Sequence, residues 1–185
     1  MESNHNELSL GQIFQLISDS MPHLTKSDFT QAQFCPTSLY YAFNPDQYPD
    51  ARLEDDFLQA LADGGRQVGE FARAQFPDGK LIEARDNDRA LTETAQELEA
   101  DEVVLFEPAI AWGRLFARAD ILIKRGSEVE LVEVKAKSCK GYSEEQLLGR
   151  SGIKKEFRPI LEDVAFQYLV VSRAHPDWSL RASLM

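Results

Sequence analysis

Residues 113–137 read GRLFARADILIKRGSEVELVEVKAK. The run is rich in β-branched and aromatic residues and carries Gly126-Ser127 near its middle, so it predicts two strands joined as a β-hairpin. In the second strand alternate residues share a face. Glu133 and Lys135 therefore point the same way, while Leu131, Val132 and Val134 supply apolar packing. A carboxylate and an ammonium group bracketed by apolar residues call for a reason, because charges rarely leave water without partners. Asp120 lies in the first strand, again between apolar residues, and a turn near Gly126 brings it close to Glu133 across the hairpin. Two anions that close repel unless a cation sits between them. A hard divalent cation such as Mg²⁺ takes one or two carboxylates plus waters and phosphate oxygens. The alternative is a structural ion-pair network across the hairpin.

Outward from the hairpin, VVLFEPAI (103–110) predicts a preceding strand that carries Glu107, and WSLRASLM (178–185) a final strand. Pro159 opens a helix, PILEDVAFQYLVVSRA, which ends at His175-Pro176-Asp177. Asp163 near its start suits the positive end of the helix dipole better than a ligand role. Upstream the pattern is helical: a short helix over 7–20, a helix entered at Ser27 as N-cap, and a further piece with Pro36 near its start. Leu53 to Phe76 reads as a long helix, or two if Gly64-Gly65 interrupts it, closed by Pro77-Asp78-Gly79. Leu91–Leu98 is a third. Residues 138–158 read as a polar loop long enough to be functional. Tyr40, Tyr41 and Phe43 fit core packing at helical spacing, with base stacking as the alternative.

With 185 residues, 43% hydrophobic and 28% charged, the chain reads as one soluble domain. The divisions are an N-terminal helical extension (1–23), a helical part (24–100) and an α/β core (101–185). No apolar run is long enough for a membrane span and no signal-peptide pattern opens the chain, which points to the cytoplasm and no membrane partner. The net charge of −11 counts against a non-specific nucleic-acid coat protein. The excess negative charge lies between Asn44 and Glu107, where 17 acidic and 6 basic residues stand. From Glu133 to Arg158, 7 basic residues face 4 acidic ones. A basic rim beside carboxylates suits a metal site that receives phosphate; a solvated charged loop is the plain alternative. Two cysteines, Cys35 and Cys139, make neither a disulfide framework nor a complete zinc site.

The spacing Asp120-(x)12-Glu133-Val134-Lys135 over a hairpin resembles the Asp…(Asp/Glu)-x-Lys signature of the PD-(D/E)xK nucleases. GRQVGEFAR (65–73) resembles the Gly-x-x-x-His helical segment of the RecB-like branch, and DVAFQYLVV (163–171) resembles that branch's fourth motif, a helix whose glutamine faces the site. With KSDFTQAQFCPTSLYYA (26–42), these pieces resemble RecB-like exonucleases, including CRISPR-associated ones, and bacterial proteins of unassigned function that carry such a module at their N-terminus. The likeness runs from about Leu24 to the end. Two positions depart from it. The histidine position falls at Gly69, with Glu70 as a neighbouring substitute, and the tyrosine expected four residues after Gln167 is Val171.

The resemblance implies a restriction-endonuclease-like core, a mixed central sheet flanked by helices. It implies Mg²⁺- or Mn²⁺-dependent hydrolysis of DNA, with RNA as the alternative polymer, exonuclease-like and leaving 5′-phosphates. Asp120 and Glu133 would hold the metal, joined by the Val134 carbonyl, Glu107 and Glu70. Lys135 would orient or help deprotonate the attacking water and offset transition-state charge, and Gln167 would hold Lys135 or a phosphate. Lys137, Lys140, Lys154, Lys155 and Arg158 would contact nucleic acid. Some relatives hold an iron–sulfur cluster through one cysteine near the start and three after the core. Cys35 matches the first, and the other three are not in this sequence. Either the chain holds no cluster or it is a fragment of a longer protein, with a C-terminal domain or protein partner elsewhere. A rival reading is a module on the same fold that binds nucleic acid or protein without cutting.

Overall fold

The computed structural model describes residues 23–49, 56–136, 148–149 and 152–185. Over these the protein is a mixed α/β structure with five helices. The elements run β1 (Leu24–Thr25), α1 (Lys26–Phe34), α2 (Pro36–Ala42), α3 (Asp56–Arg73), β2 (Lys80–Leu81), α4 (Asn87–Glu97), β3 (Glu102–Phe106), β4 (Ala109–Trp112) and β5 (Leu115–Arg118). Then follow β6 (Ile121–Arg125), β7 (Glu128–Glu133), β8 (Leu148–Gly149), β9 (Gly152–Ile153), α5 (Arg158–Ala174) and β10 (Ser179–Leu184). Among the described residues no helix is long and apolar enough to cross a membrane. The expected helix at 7–20, and Lys137, Cys139 and Lys140, fall outside the described residues.

The central sheet has the order β10-β7-β6-β3-β2. β3, β6 and β7 are antiparallel neighbours, while β10 joins β7 and β2 joins β3 in parallel. The β6–β7 hairpin closes between Arg125 and Glu128, with Gly126 at φ 59°, a conformation glycine adopts without steric cost. A parallel neighbour needs a crossover, and α5 is the helix in it.

The expected single strands over 103–110 and 113–124 are each two strands. Between β3 and β4 the chain turns at Glu107-Pro108; between β5 and β6 it turns at Ala119-Asp120. β4 and β5 form their own hairpin around Gly113 (φ 56°) and leave the central sheet to pair with β1. Proline cannot donate to a ladder, so the sheet cannot run on through Pro108. Backbone pairing survives the crossing point, since Glu107 N–H donates to the Asp120 carbonyl and Ala119 N–H to that of Pro108, both at 3.1 Å.

The helices correct several boundaries. Thr25, not Ser27, is the N-cap of α1. Its hydroxyl accepts from Asp28 N–H at 3.2 Å and Asp28 accepts from Thr25 N–H at 2.8 Å, a capping box that needs the acid three residues on. α3 runs unbroken through Gly64-Gly65 and ends at Arg73, before the proline turn. α4 starts earlier than expected, at Asn87, because Asp86 caps it by accepting from Arg89 N–H. Part of the supposed loop, Leu148-Gly149 and Gly152-Ile153, pairs as a short antiparallel ladder.

Leu122, Val129 and Leu131 on one face of the central sheet pack with Phe166, Val170 and Val171 of α5 and with Ile110 and Ala117 of the β4–β5 hairpin. On the other face Phe106, Ile121, Ile123 and Val132 pack with Ala72 of α3. Phe71 of the same helix is exposed. Tyr40 and Tyr41 are exposed too, 54% and 45%, so α2 does not bury them in a core. They cluster with Tyr48, the Tyr41 and Tyr48 rings 4.5 Å apart.

Candidate functional site

Ile121 pairs with Val132, so the next rung of the hairpin sets Asp120 opposite Glu133 at one end of the sheet. Side chains on the same rung share a face. That face is the α5 side, for Glu133 follows the alternation of Val129 and Leu131, which pack on α5. Beyond the strand end, Lys135 N–H donates to the Met185 carbonyl at 3.0 Å, which keeps the segment extended. The Lys135 ammonium therefore lies on the Glu133 side, 2.7 Å from Glu133 Oε1.

Glu133 is 3% exposed and satisfied on both oxygens. Its Oε1 accepts from Lys135 and from Lys26 Nζ at 3.0 Å, and its Oε2 from the buried side-chain amide of Gln167. Burial alone would raise the Glu133 pKa; the hydrogen bond from Lys135, the Lys26 charge and the Gln167 amide outweigh it and hold the carboxyl below its ordinary value. The Lys135 ammonium also contacts Asp163 Oδ2 at 2.9 Å. Burial opposes its charge, but the bonds to Glu133 and Asp163 prevail and raise its pKa.

Asp120 behaves differently. Its Oδ2 accepts from Val134 N–H at 2.6 Å. Burial first, and the Glu133 charge second, push its pKa from 3.8 up to about 6 against the Val134 bond and the Lys26 charge. The Glu107 charge adds to the rise. Two facing carboxylates, one of them resisting ionisation, are the donor chemistry a hard divalent cation would relieve. The residues fit such an ion held by Asp120 and Glu133 and completed by water. Among the described residues no three of His, Cys, Asp and Glu gather into a group that could hold a metal ion.

Glu107 is half-buried at the point where the chain changes sheets, at φ 55°. Left-handed backbone is uncommon for a glutamate, and more so before a proline. Its carboxylate pairs with Arg73 of α3 at 3.0 Å. Glu70 is exposed on α3. Arg158 pairs with Glu162 one turn along α5, and Lys154 and Lys155 lie just before that helix. Cys35 is a half-buried free thiol at the junction of α1 and α2.

Lys26, Thr30 and Asp163 join the cluster without having been singled out as ligands or partners. Thr30 of α1 donates to Asp163 Oδ1 at 3.3 Å, so α1, α5 and β7 meet there. Asp163 stands four residues before Gln167, on the same helix face, a spacing that marks it once Gln167 is placed. For Lys26 the Thr25-x-x-Asp28 capping box gives the helix start, but nothing local ties it to a strand 107 residues away. A cavity of about 650 Å³ lined by Leu98, Trp112, Arg173, His175 and Trp178 lies at the other end of α5. At 1.5 Å per helical residue that is roughly 18 Å from Asp163, so this space is separate from the carboxylates. No family model, curated protein or solved structure matches the chain.

Proposed function

We propose that the chain is a divalent-metal-dependent nuclease that hydrolyses DNA phosphodiester bonds in an exonuclease-like manner, on a restriction-endonuclease-like core of the PD-(D/E)xK superfamily. The observation that carries this reading is the meeting, at one sheet end, of Asp120 opposite a buried Glu133 with the Lys135 ammonium 2.7 Å from it. Asp120 and Glu133 would hold Mg²⁺ or Mn²⁺, with the Val134 carbonyl as a further donor. When bound, the ion supplies Lewis-acid stabilisation of phosphoryl oxygens and a more acidic water.

The chain's own residues do the positioning. Gln167 fixes the orientation of Glu133 from α5. Asp163 and Glu133 hold Lys135 charged, since its pKa is raised. Lys135 would thus serve as a cation that orients water and offsets charge on the phosphoryl group. Preorganised charge of this kind is worth about 10²–10³ in rate per group. Metal-dependent cleavage of end-labelled single- and double-stranded DNA tests the reading. Wild type should cleave with Mn²⁺, and Lys135→Ala should lose at least about 100-fold while still binding the ion. No Mn²⁺ binding and no cleavage by wild type would remove the proposal.

One observation favours a second reading, a binding module that does not cut. Glu133 is already answered by Lys26, Lys135 and Gln167, as in a closed structural network. DNA retained without cleavage and without metal dependence would select it.

A further inference from the structure

We infer that Lys26 is a built-in competitor for the metal position, an ammonium that occupies Glu133 until a divalent cation displaces it. The inference rests on the metal reading above and adds a residue to it. Lys26 is the first residue of α1, set there by the Thr25–Asp28 capping box. That helix is held down at two further points, by Phe29 stacked on Phe166 of α5 at 5.2 Å between ring centroids and by the Thr30–Asp163 hydrogen bond. Lys26 is consequently aimed inward, with a quarter of its side chain exposed and its ammonium 3.0 Å from Glu133 Oε1.

Two features make this contact more than a surface ion pair. A carboxylate offers about four lone-pair positions. Lys26 and Lys135 share Oε1 and Gln167 takes Oε2, so one position is left for an incoming ligand interaction. The Lys26 charge also acts on both Glu133 and Asp120, the two carboxylates that would hold the ion. An ammonium and a divalent ion repel at such range. The lysine stem is flexible, so its head can swing to the rim while α1 stays docked through Phe29 and Thr30. Without metal, Lys26, Lys135 and Gln167 answer Glu133, at the cost of metal affinity.

Calorimetric titration with Mn²⁺ tests this on wild type, Lys26→Met, Lys26→Gln and Lys26→Arg. Removing the charge should tighten Mn²⁺ binding roughly tenfold, within the usual range for coupling between two sites. Lys26→Arg keeps the charge and should not tighten it. Lys26→Gln keeps polar contact with Glu133 and guards against a Met variant that fails to fold. Unchanged or weaker binding in the folded neutral variants, with wild type still binding, would overturn the competitor role and leave the metal reading intact. No Mn²⁺ binding by wild type or by either neutral variant would overturn both.

Discussion

Glu130 and Glu133 stand on the same strand and are answered by the same chemistry, a cation and a hydrogen-bond donor. Glu130 pairs with Arg181 at 2.6 Å and accepts from Ser183 at 2.8 Å, both across the β7–β10 ladder. Glu133 takes Lys26, Lys135 and Gln167. Burial raises and partners lower the pKa in both cases, and in both the partners win. The difference is place. Arg181 is 70% exposed, so its pair is largely hydrated, whereas Glu133 is enclosed by α1 and α5. An ion pair in water contributes little, and a buried one is costly to break because its partners are left unanswered.

The largest expected effect is at the buried end. Glu133→Ala should cost about 3 kcal/mol, the low end for a broken buried pair because both lysines keep some contact with water. Urea unfolding measures it, and a loss no larger than that of Glu130→Ala would erase the contrast.

Asp120→Asn should move stability the other way. A carboxyl whose folded pKa is raised to about 6 contributes most below its ordinary 3.8 and loses that contribution as pH rises through 6. Without metal, wild type is therefore penalised at neutral pH. Allowing for solvent screening, the asparagine variant should be about 1–2 kcal/mol more stable at pH 7.5 and gain about half as much at pH 5. Thermal unfolding at the two pH values checks this; no gain at pH 7.5 would mean that ionised Asp120 is well accommodated. Glu133 has the opposite sign, its contribution present above its ordinary pKa and lost as pH falls through the lowered folded value.

The smallest effect belongs to Glu130→Ala. It should cost less than about 1 kcal/mol and fade further in high salt, as exposed pairs do. A cost near that of Glu133→Ala, measured in the same urea series, would show that the β10 edge is more enclosed than its exposure indicates.

Much of the hairpin is legible in the sequence. Strand alternation with a Gly126-Ser127 turn is a local signal, and it set Asp120 across from Glu133 and Lys135 beside it. The breaks at Glu107-Pro108 and Ala119-Asp120 were not legible as changes of sheet. Continuous apolar runs look alike whether one strand holds them or two, and Ala119-Asp120 carries neither glycine nor proline. The same limit hid the exposure of Tyr40 and Tyr41: helical spacing reports a face, not what covers it.

The sequence by itself determined the pieces whose physics is local: the hairpin, the helix α5 opened at Pro159, the glutamine on that helix, and the carboxylate pair with its lysine. Tertiary structure alone decided that α1 closes over the sheet end, that Lys26 and Asp163 join the charges around Glu133 and Lys135, and that Glu107 pairs with Arg73. The reason is range. Turns, caps and strand alternation act over a few residues, whereas the partner of a buried charge is whichever opposite charge packing brings within about 3 Å, however far along the chain it lies.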